Sequence, residues 1–134
     1  NRGGAYDDLG EYQKAIDDYT KAIELKPDYA RAYNNRGGAY DDLGEYQKAI
    51  DDYTKAIELK PDYARAYYNR GFIFRELDEH QNAIDDFTKA IELEPNNSYL
   101  YESRARAYQA LGKRKLAKKD RQTSKELERR RRSK

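Results

Sequence analysis

The chain has 134 residues, with 27 Lys or Arg against 25 Asp or Glu, a formal net charge of +2 and a mean hydropathy of −1.28. That length suits one compact domain or one short array of repeats. The sequence contains 14 Tyr but no Cys, Met or Trp, which excludes a disulfide framework and thiolate chemistry. So polar a composition is poorly suited to one large core and favours several small layers closed by Ala, Ile, Leu and Tyr.

Charge is distributed unevenly along the chain. The segment Lys113 to Lys134 has 12 basic and 3 acidic residues, which leaves 15 basic and 22 acidic residues between Asn1 and Gly112. No apolar run is long enough for a membrane span or a signal-peptide core. The sequence therefore predicts an intracellular protein, cytoplasmic by default with a nuclear location as the alternative, in which an acidic body joins a basic C-terminal segment.

The predicted elements follow a repeat with a period of 34 residues. Residues 1–29 recur without a change as residues 35–63, and residues 69–97 are a third, substituted copy. A fourth, degraded copy begins near Ser98. Repetition at a fixed period predicts a solenoid of stacked supersecondary units, here with boundaries at 1–29, 30–63, 64–97 and 98–134.

Each unit has the apolar spacing of two helices. In the second copy the first helix has this spacing at Tyr33, Gly37 and Tyr40. The second helix has it at Ala49, Ile50, Tyr53, Ala56 and Ile57. We expect Gly44 to end the first helix and Pro61 to stop the second. The pattern predicts an antiparallel helical hairpin in each copy, with Gly37 facing the second helix.

These positions resemble the tetratricopeptide repeat family. Besides the period, the resemblance rests on Tyr33, Gly37, Tyr40, Ala49, Tyr53, Ala56 and Pro61, which recur as Tyr67, Gly71, Phe74, Ala83, Phe87, Ala90 and Pro95. It implies an all-α, right-handed superhelical solenoid of stacked antiparallel hairpins, whose first copy lacks the start of its first helix. Arg36 and Arg70 occupy a position where the family usually has Leu. We expect each Arg stem to pack while its head reaches solvent or a carboxylate.

The resemblance also implies a concave groove, lined by the first helix of each hairpin, that binds an extended peptide. The second copy would contribute Arg31, Asn34, Asn35, Asp41 and Asp42. The third would contribute Arg65, Tyr68, Asn69, Phe72, Arg75 and Glu76, and the fourth Tyr99, Glu102, Ser103, Arg106 and Gln109. Tyr68 and Phe72 are expected to form an aromatic shelf. The row Asn1, Asn35 and Asn69 presents amides that can pair with a peptide backbone, or is simply a set of tolerated polar residues.

The fourth copy is expected to cap the array. Arg121 and Ser124 stand where an aromatic residue and Ala are expected, so that no further repeat can stack on them. The basic tail that follows contains Arg129, Arg130, Arg131 and Arg132. It is interpreted as a solvated cap suited to the helix dipole, as a segment that binds nucleic acid or an acidic surface, or as a nuclear import signal. The tail contains no aromatic residue, which argues against single-strand binding.

The sequence offers little for catalysis or metal binding. Its one His, His80, takes the place of Tyr46 and is interpreted as a packing or surface replacement. Paired aspartates recur with the repeat at Asp17-Asp18, Asp51-Asp52 and Asp85-Asp86. We interpret them as a hydrated helix face, because adjacent residues on a helix do not converge on one point. We therefore expect no enzymatic activity, no cofactor and no metal site.

The predicted function is protein–protein interaction, by a scaffold or adaptor that binds an extended peptide. The identity of the first two copies supports a second interpretation, a designed or duplicated repeat protein without a dedicated ligand. A third is binding of nucleic acid or an acidic surface through the basic tail. The uncovered repeat face near Asn1 further predicts end-to-end self-association.

Overall fold

The structure is a computed structural model that describes residues 2–133, and the side chains of residues 9–133. The described residues form seven α-helices and no strand. The helices are α1 (Arg2–Leu25), α2 (Ala30–Asp42), α3 (Tyr46–Leu59), α4 (Ala64–Glu76), α5 (His80–Leu93), α6 (Ser98–Ala110) and α7 (Arg114–Ser133). The chain divides into two compact units, Asn1–Ala66 and Tyr67–Lys134, with the boundary inside α4.

The turns after α2, α4 and α6 share one backbone geometry. Gly44 has a φ of +78° and Gly112 a φ of +77°, and the equivalent Asp78 has a φ of +62°. After α2, the amide of Glu45 donates a 2.8 Å hydrogen bond to the carbonyl of Tyr40, as in a Schellman motif. The predicted end of the first helix at Gly44 is therefore confirmed.

Close approach of two helices explains the glycine in the first helix of the hairpin. A Cβ atom placed on Gly37 in α2 would lie 2.8 Å from Cε1 of Tyr53 in α3, whose ring is buried. The same contact recurs in the second unit, where a Cβ on Gly71 would lie 2.9 Å from Cε1 of Phe87. Real Cβ atoms avoid such distances in a close-packed interior. The predicted position of Gly37 against the second helix is confirmed.

The first copy differs from its identical counterpart. The sequence predicts a hairpin there too, but α1 continues through Gly10 as one helix of 24 residues. A turn at Gly10 would give up backbone hydrogen bonds of the helix, and packing of a complete first helix would have to offset that loss. In α2, by contrast, the turn at Gly44 follows a helix whose Ala32 and Asn34 are both buried. The predicted hairpin of the first copy is therefore wrong.

A recurring Arg–Asp ion pair joins the two helices of each later hairpin. In the first unit, Arg36 in α2 donates from Nε and Nη2 to the two carboxylate oxygens of Asp52 in α3, at 2.8 Å each. Its Nη1 also donates to Oγ1 of Thr20 in α1 at 3.2 Å, so one guanidinium links three successive helices. Bidentate pairs of this kind are strong and geometrically specific.

The second unit repeats the arrangement. Arg70 donates to both carboxylate oxygens of Asp86 at 2.8 Å, and Arg104 does the same with Asp120. All three aspartates are buried. Of the two expected positions for the Arg heads, solvent or a carboxylate, the structure shows the carboxylate. The interpretation of Asp52 and Asp86 as part of a hydrated face is wrong, because both are buried. Burial is tolerated because a guanidinium accompanies each carboxylate.

Each of these guanidinium groups also lies between two aromatic rings of its own helix. The Cζ atoms are between 5.6 and 5.9 Å from the ring centroids. The rings belong to Tyr33 and Tyr40 around Arg36, Tyr67 and Phe74 around Arg70, and Tyr101 and Tyr108 around Arg104. The Arg stem therefore packs as expected, with the charged group held by ring faces and carboxylate oxygens.

Candidate peptide-binding surface

Aromatic side chains from two successive first helices meet on the surface of the second unit. The ring centroid of Tyr68 in α4 lies 6.4 Å from that of Phe72 and 5.5 Å from that of Tyr99 in α6. Tyr99 is 58% exposed, whereas Tyr68 and Phe72 are half-buried. We call Tyr68, Phe72 and Tyr99 the aromatic surface. Offset and tilted ring pairs at these distances are favourable, so the three rings form a preformed apolar platform.

The aromatic surface rests on the core of the second unit. The Tyr68 ring centroid lies 5.8 Å from that of Phe87 in α5, which is fully buried with Ala83, Ile84 and Ala107. Burial raises the pKa of the Tyr68 hydroxyl, as does its hydrogen bond with Tyr99, while its hydrogen bond with Ser103 acts in the opposite direction. The hydroxyl therefore stays protonated at neutral pH and can donate a hydrogen bond.

Charged groups border the aromatic surface. The Cζ atom of Arg75, in the last turn of α4, lies 4.7 Å from the ring centroid of Phe72. On α6, Oε1 of Glu102 lies 3.6 Å from Nε of Arg106 and 3.8 Å from Nε of Arg121 in α7. Stacking on Phe72 leaves the edge donors of the Arg75 guanidinium directed away from the ring, where they can bind a carboxylate or a carbonyl.

The predicted residues of the second copy occupy different environments. Arg31 and Asp42 are exposed, and partial burial of the Asp42 carboxyl group raises its pKa. Asn35 and Asp41 are half-buried. Asn34, by contrast, is only 5% exposed. The prediction that its side chain faces a binding groove is wrong, because α2 is packed at that position.

The remaining predicted residues of the third copy lie along α4. Arg65 and Glu76 are exposed near the two ends of α4, and Asn69 is half-buried in its middle. Asn1 lies outside the described residues. The predicted row of three asparagines and its pairing with a peptide backbone therefore stay a prediction.

The basic tail forms the end of α7 rather than a separate segment. Arg129 and Arg130 both contact Glu126, with shortest N–O distances of 2.6 and 3.3 Å, and Arg131 contacts Glu128 at 2.9 Å. All four tail arginines are exposed. Exposed pairs at i, i+3 and i, i+4 contribute little to stability, so these cations remain available for an anionic partner.

The described residues contain no cluster of three His, Cys, Asp or Glu side chains that could hold a metal ion. His80 is partly buried, with Nε2 3.8 Å from Oδ1 of Asp78. Among the described helices, none is both long and apolar enough to cross a membrane.

Sequence reasoning missed two features that the structure reveals. It did not anticipate the contact between Tyr68 and Phe87, because Tyr68 was considered only as a groove residue and Phe87 only as a position of the repeat motif. It also did not identify which carboxylates the Arg heads contact, although Arg36 and Asp52, Arg70 and Asp86, and Arg104 and Asp120 all have the same spacing of 16 residues. That constant spacing persists in the degraded fourth copy and was the available signal.

The stacked helical hairpins and the surface of their first helices define the class of helical-repeat interaction scaffolds. Sequence profiles described as tetratricopeptide repeat match residues 30–63 and 64–97, and another of the same description matches residues 87–120. A profile described as TPR repeat matches residues 3–44. The chain belongs to the tetratricopeptide repeat family, and its fold is an all-α repeat solenoid. Proteins of this family typically act as non-enzymatic protein–protein interaction modules.

Solved structures of similar proteins include several of MamA. A crystal structure of MamA is 33% identical, with a TM-score of 0.90 over 98% of this chain and 77% of that chain. A second crystal structure, of MamA protein, is 34% identical, with a TM-score of 0.86 over 98% of this chain and 72% of that one. A MamA fragment from Desulfovibrio magneticus RS-1 is 25% identical, with a TM-score of 0.82 over 95% of this chain and 72% of that chain.

Proposed function

We propose that this chain is an adaptor that binds an extended segment of a partner protein, with the aromatic surface as its principal anchor. The observation that carries the proposal is the gathering of Tyr68, Phe72 and Tyr99 from α4 and α6 into one platform. Aromatic residues and Arg are enriched among the residues that contribute most of the binding energy at protein interfaces. The platform is held by buried core residues, so little conformational entropy is lost when a ligand binds.

The chemistry of the surface indicates what the peptide carries. An apolar or aromatic side chain would cover the exposed face of Tyr99. A carboxylate next to it would pair with Arg75, which is stacked on Phe72, or with Arg106 on α6. Arg31, Asn35, Asp41, Asp42, Arg65, Asn69 and Glu76 belong to the same proposal as polar contacts to the peptide. Asn34 is not included, because it is buried.

The test is a binding screen of random unstructured peptides on the intact chain, followed by fluorescence anisotropy with the best peptide. Tyr99→Ala should weaken the affinity for that peptide by about tenfold or more, which corresponds to the loss of an interface residue that contributes more than about 1 kcal/mol. Tyr29→Ala removes another exposed tyrosine, one that precedes α2, and should leave affinity unchanged.

Two outcomes would overturn the proposal. Equal weakening by both substitutions would mean that the peptide does not use the aromatic surface. A folded chain that yields no peptide at all would favour a designed or duplicated repeat protein without a dedicated ligand. The predicted end-to-end self-association involves residues before Leu9, whose side chains lie outside the described part of the chain, and it stays a prediction.

A further inference from the structure

A groove lies between α6 and α7, and none of its lining residues belongs to the aromatic surface. It encloses about 470 Å³ and is lined by Gln109, Arg114, Ala117, Lys118, Arg121, Gln122 and Lys125. An adjoining groove of about 420 Å³ continues along α7 and shares Lys125 with the first. Four of the seven lining residues of the first groove are cationic, so it differs from the apolar pockets in which small molecules usually bind.

The repeat explains why a groove is present at this place. A shift of 34 residues relates Lys118, Arg121 and Lys125 of α7 to Ile84, Phe87 and Ile91 of α5. On α5 these three side chains are 4%, 0% and 8% exposed. They pack with Ala107 and Leu100, so they form the surface on which the next helix, α6, lies. The groove on α7 therefore has the position of a helix-docking surface.

This docking surface keeps its small central residue, Ala117, but the apolar side chains around that residue have changed. Ala117, equivalent to the buried Ala83, is itself buried and keeps the close approach that a docked helix needs. The apolar walls have been replaced by Lys118, Arg121 and Lys125. An apolar helix in this groove would desolvate three cations without compensation, whereas an acidic helix would neutralise them.

The cations continue as one stripe along α7. Arg114, Lys118, Arg121, Lys125, Arg129 and Arg132 follow one another at intervals of four, three, four, four and three residues. These intervals place the six side chains on one helix face, over about 27 Å at a rise of 1.5 Å per residue. A carboxylate already approaches this stripe, because Glu102 lies 3.8 Å from Arg121.

We propose that the α6–α7 groove is a docking site for an acidic helix of a partner protein. Carboxylates at intervals of three and four residues on that helix would face the stripe of cations on α7. The position inherited from the repeat favours a helix over an extended ligand. The absence of an aromatic side chain among the groove residues, on which a base could stack, argues against a nucleic acid strand.

The test uses a labelled, end-blocked peptide of about 20 residues, which spans about 30 Å as a helix. It carries Glu at i, i+4, i+7 and i+11 in an Ala-rich background. Binding to the intact chain is measured by fluorescence anisotropy. Lys118→Glu/Lys125→Glu should weaken binding by about tenfold or more, because two attractive contacts become repulsive.

The matched control is Lys115→Glu/Lys119→Glu. It changes the net charge by the same amount, at two exposed positions of α7 that are four residues apart and do not line the groove. The affinity for the peptide should change by less than about threefold. This small change would come from the altered net charge alone, and added salt should remove it by screening. Equal weakening by the two pairs would overturn the proposal. Lys118→Gln/Lys125→Gln repeats the measurement with a milder change, and circular dichroism confirms that each variant is folded.

Two further probes separate the helix from other anions. The same peptide with a central Pro pair cannot form a helix and should bind at least about tenfold more weakly, and equal binding would overturn the requirement for a helix. A single-stranded oligonucleotide of similar charge should compete poorly. If it displaces the peptide at lower concentration than the unlabelled peptide does, the site is one for nucleic acid and the proposal is wrong.

Discussion

Gly37 and Gly38 are neighbours in α2, yet a methyl group would meet different surroundings at each. At Gly37 it would lie 2.8 Å from the buried Tyr53 ring, and at Gly38 its nearest neighbour would be the Tyr53 hydroxyl at 3.7 Å. We expect Gly37→Ala to lower the free energy of unfolding by about 1–3 kcal/mol, because the ring cannot move without disturbing the core. Urea unfolding measures the difference.

Gly38→Ala is the control for this prediction. An alanine there makes ordinary contacts and removes a flexible residue from a helix interior, so stability should rise by about 0.5–1 kcal/mol. The close approach of α2 to α3 therefore predicts that Ala lowers stability at Gly37 and raises it at Gly38. A change of stability in the same direction at both positions would contradict that contact.

The Arg70–Asp86 pair illustrates how a buried charge depends on its partner. Burial raises the pKa of the Asp86 carboxyl group, and the hydrogen bonds from Arg70 lower it. Hydrogen bonding to that carboxylate also raises the pKa of Arg70. We expect Arg70→Met to destabilise the chain by about 3–5 kcal/mol, because it leaves an uncompensated buried carboxylate. Arg70→Met/Asp86→Leu should be clearly more stable than Arg70→Met.

Arg131→Met provides the exposed counterpart. Arg131 pairs with Glu128 but its side chain is 78% exposed, and its loss should change stability by less than about 0.5 kcal/mol. A cost as large as that of Arg70→Met would show that burial is not the cause. A double variant no more stable than Arg70→Met would contradict the assignment of the loss to an unpaired charge.

The Arg70→Met variant should also acquire a dependence on pH. Without Arg70, burial and the neighbouring carboxylate of Asp85 both act to raise the pKa of Asp86, so that its pKa in the folded state rises further above the ordinary value of 3.8. An acid with a raised folded-state pKa binds more protons when folded, so its contribution to stability is present at low pH and is lost as pH rises through that pKa. The stability deficit relative to the unsubstituted chain should therefore shrink as pH falls from neutral toward 4, as measured by urea unfolding at several pH values.

At the scale of elements, one 29-residue sequence forms two structures. Gly44 lies in a turn with a φ of +78°, whereas Gly10 lies inside α1 with no atom within 4 Å of an added Cβ. Gly10→Ala should therefore raise stability by about 0.5–1 kcal/mol, since Ala is the better helix former. Gly44→Ala should lower it by about 1 kcal/mol, since a Cβ is unfavourable at positive φ. Thermal unfolding measures both changes. A loss of stability in both variants would contradict the continuous helix α1.

The two copies also show where sequence reasoning succeeds and where it ends. The hairpin of α2 and α3, its turn at Gly44 and the approach of Gly37 to Tyr53 were predictable, because each depends on local chemistry and on a spacing visible in the chain. The helix through Gly10 was not, because the same residues form a turn at Gly44 and a continuous helix at Gly10. Tertiary contacts decide between the two structures.

The candidate site was partly predictable for a related reason. Tyr68, Phe72 and Tyr99 follow from positions on the first helices. The burial of Asn34 depends on how closely α2 is packed, which its own sequence does not reveal. Asp52 was misinterpreted because a charged residue was taken as hydrated, whereas its partner Arg36 lies 16 residues away on another helix.

At the scale of the whole molecule, the chain presents two chemically distinct surfaces within its second unit. The aromatic surface on α4 and α6 consists of three neighbouring rings, with Arg75 stacked on one of them. The groove on α7 is lined largely by cations. A scaffold with both could hold two segments of different chemistry, and the substitutions at Tyr99 and at Lys118 with Lys125 separate them.

The most direct measurement of the central claim is NMR of the intact chain with its aromatic side chains isotope-labelled, titrated with the best peptide from the screen. We predict that the resonances of Tyr68, Phe72 and Tyr99 shift together and saturate at one affinity, while those of Tyr29 and Tyr63 do not move. Shifts confined to rings remote from α4 and α6, with the aromatic surface unaffected, would contradict it.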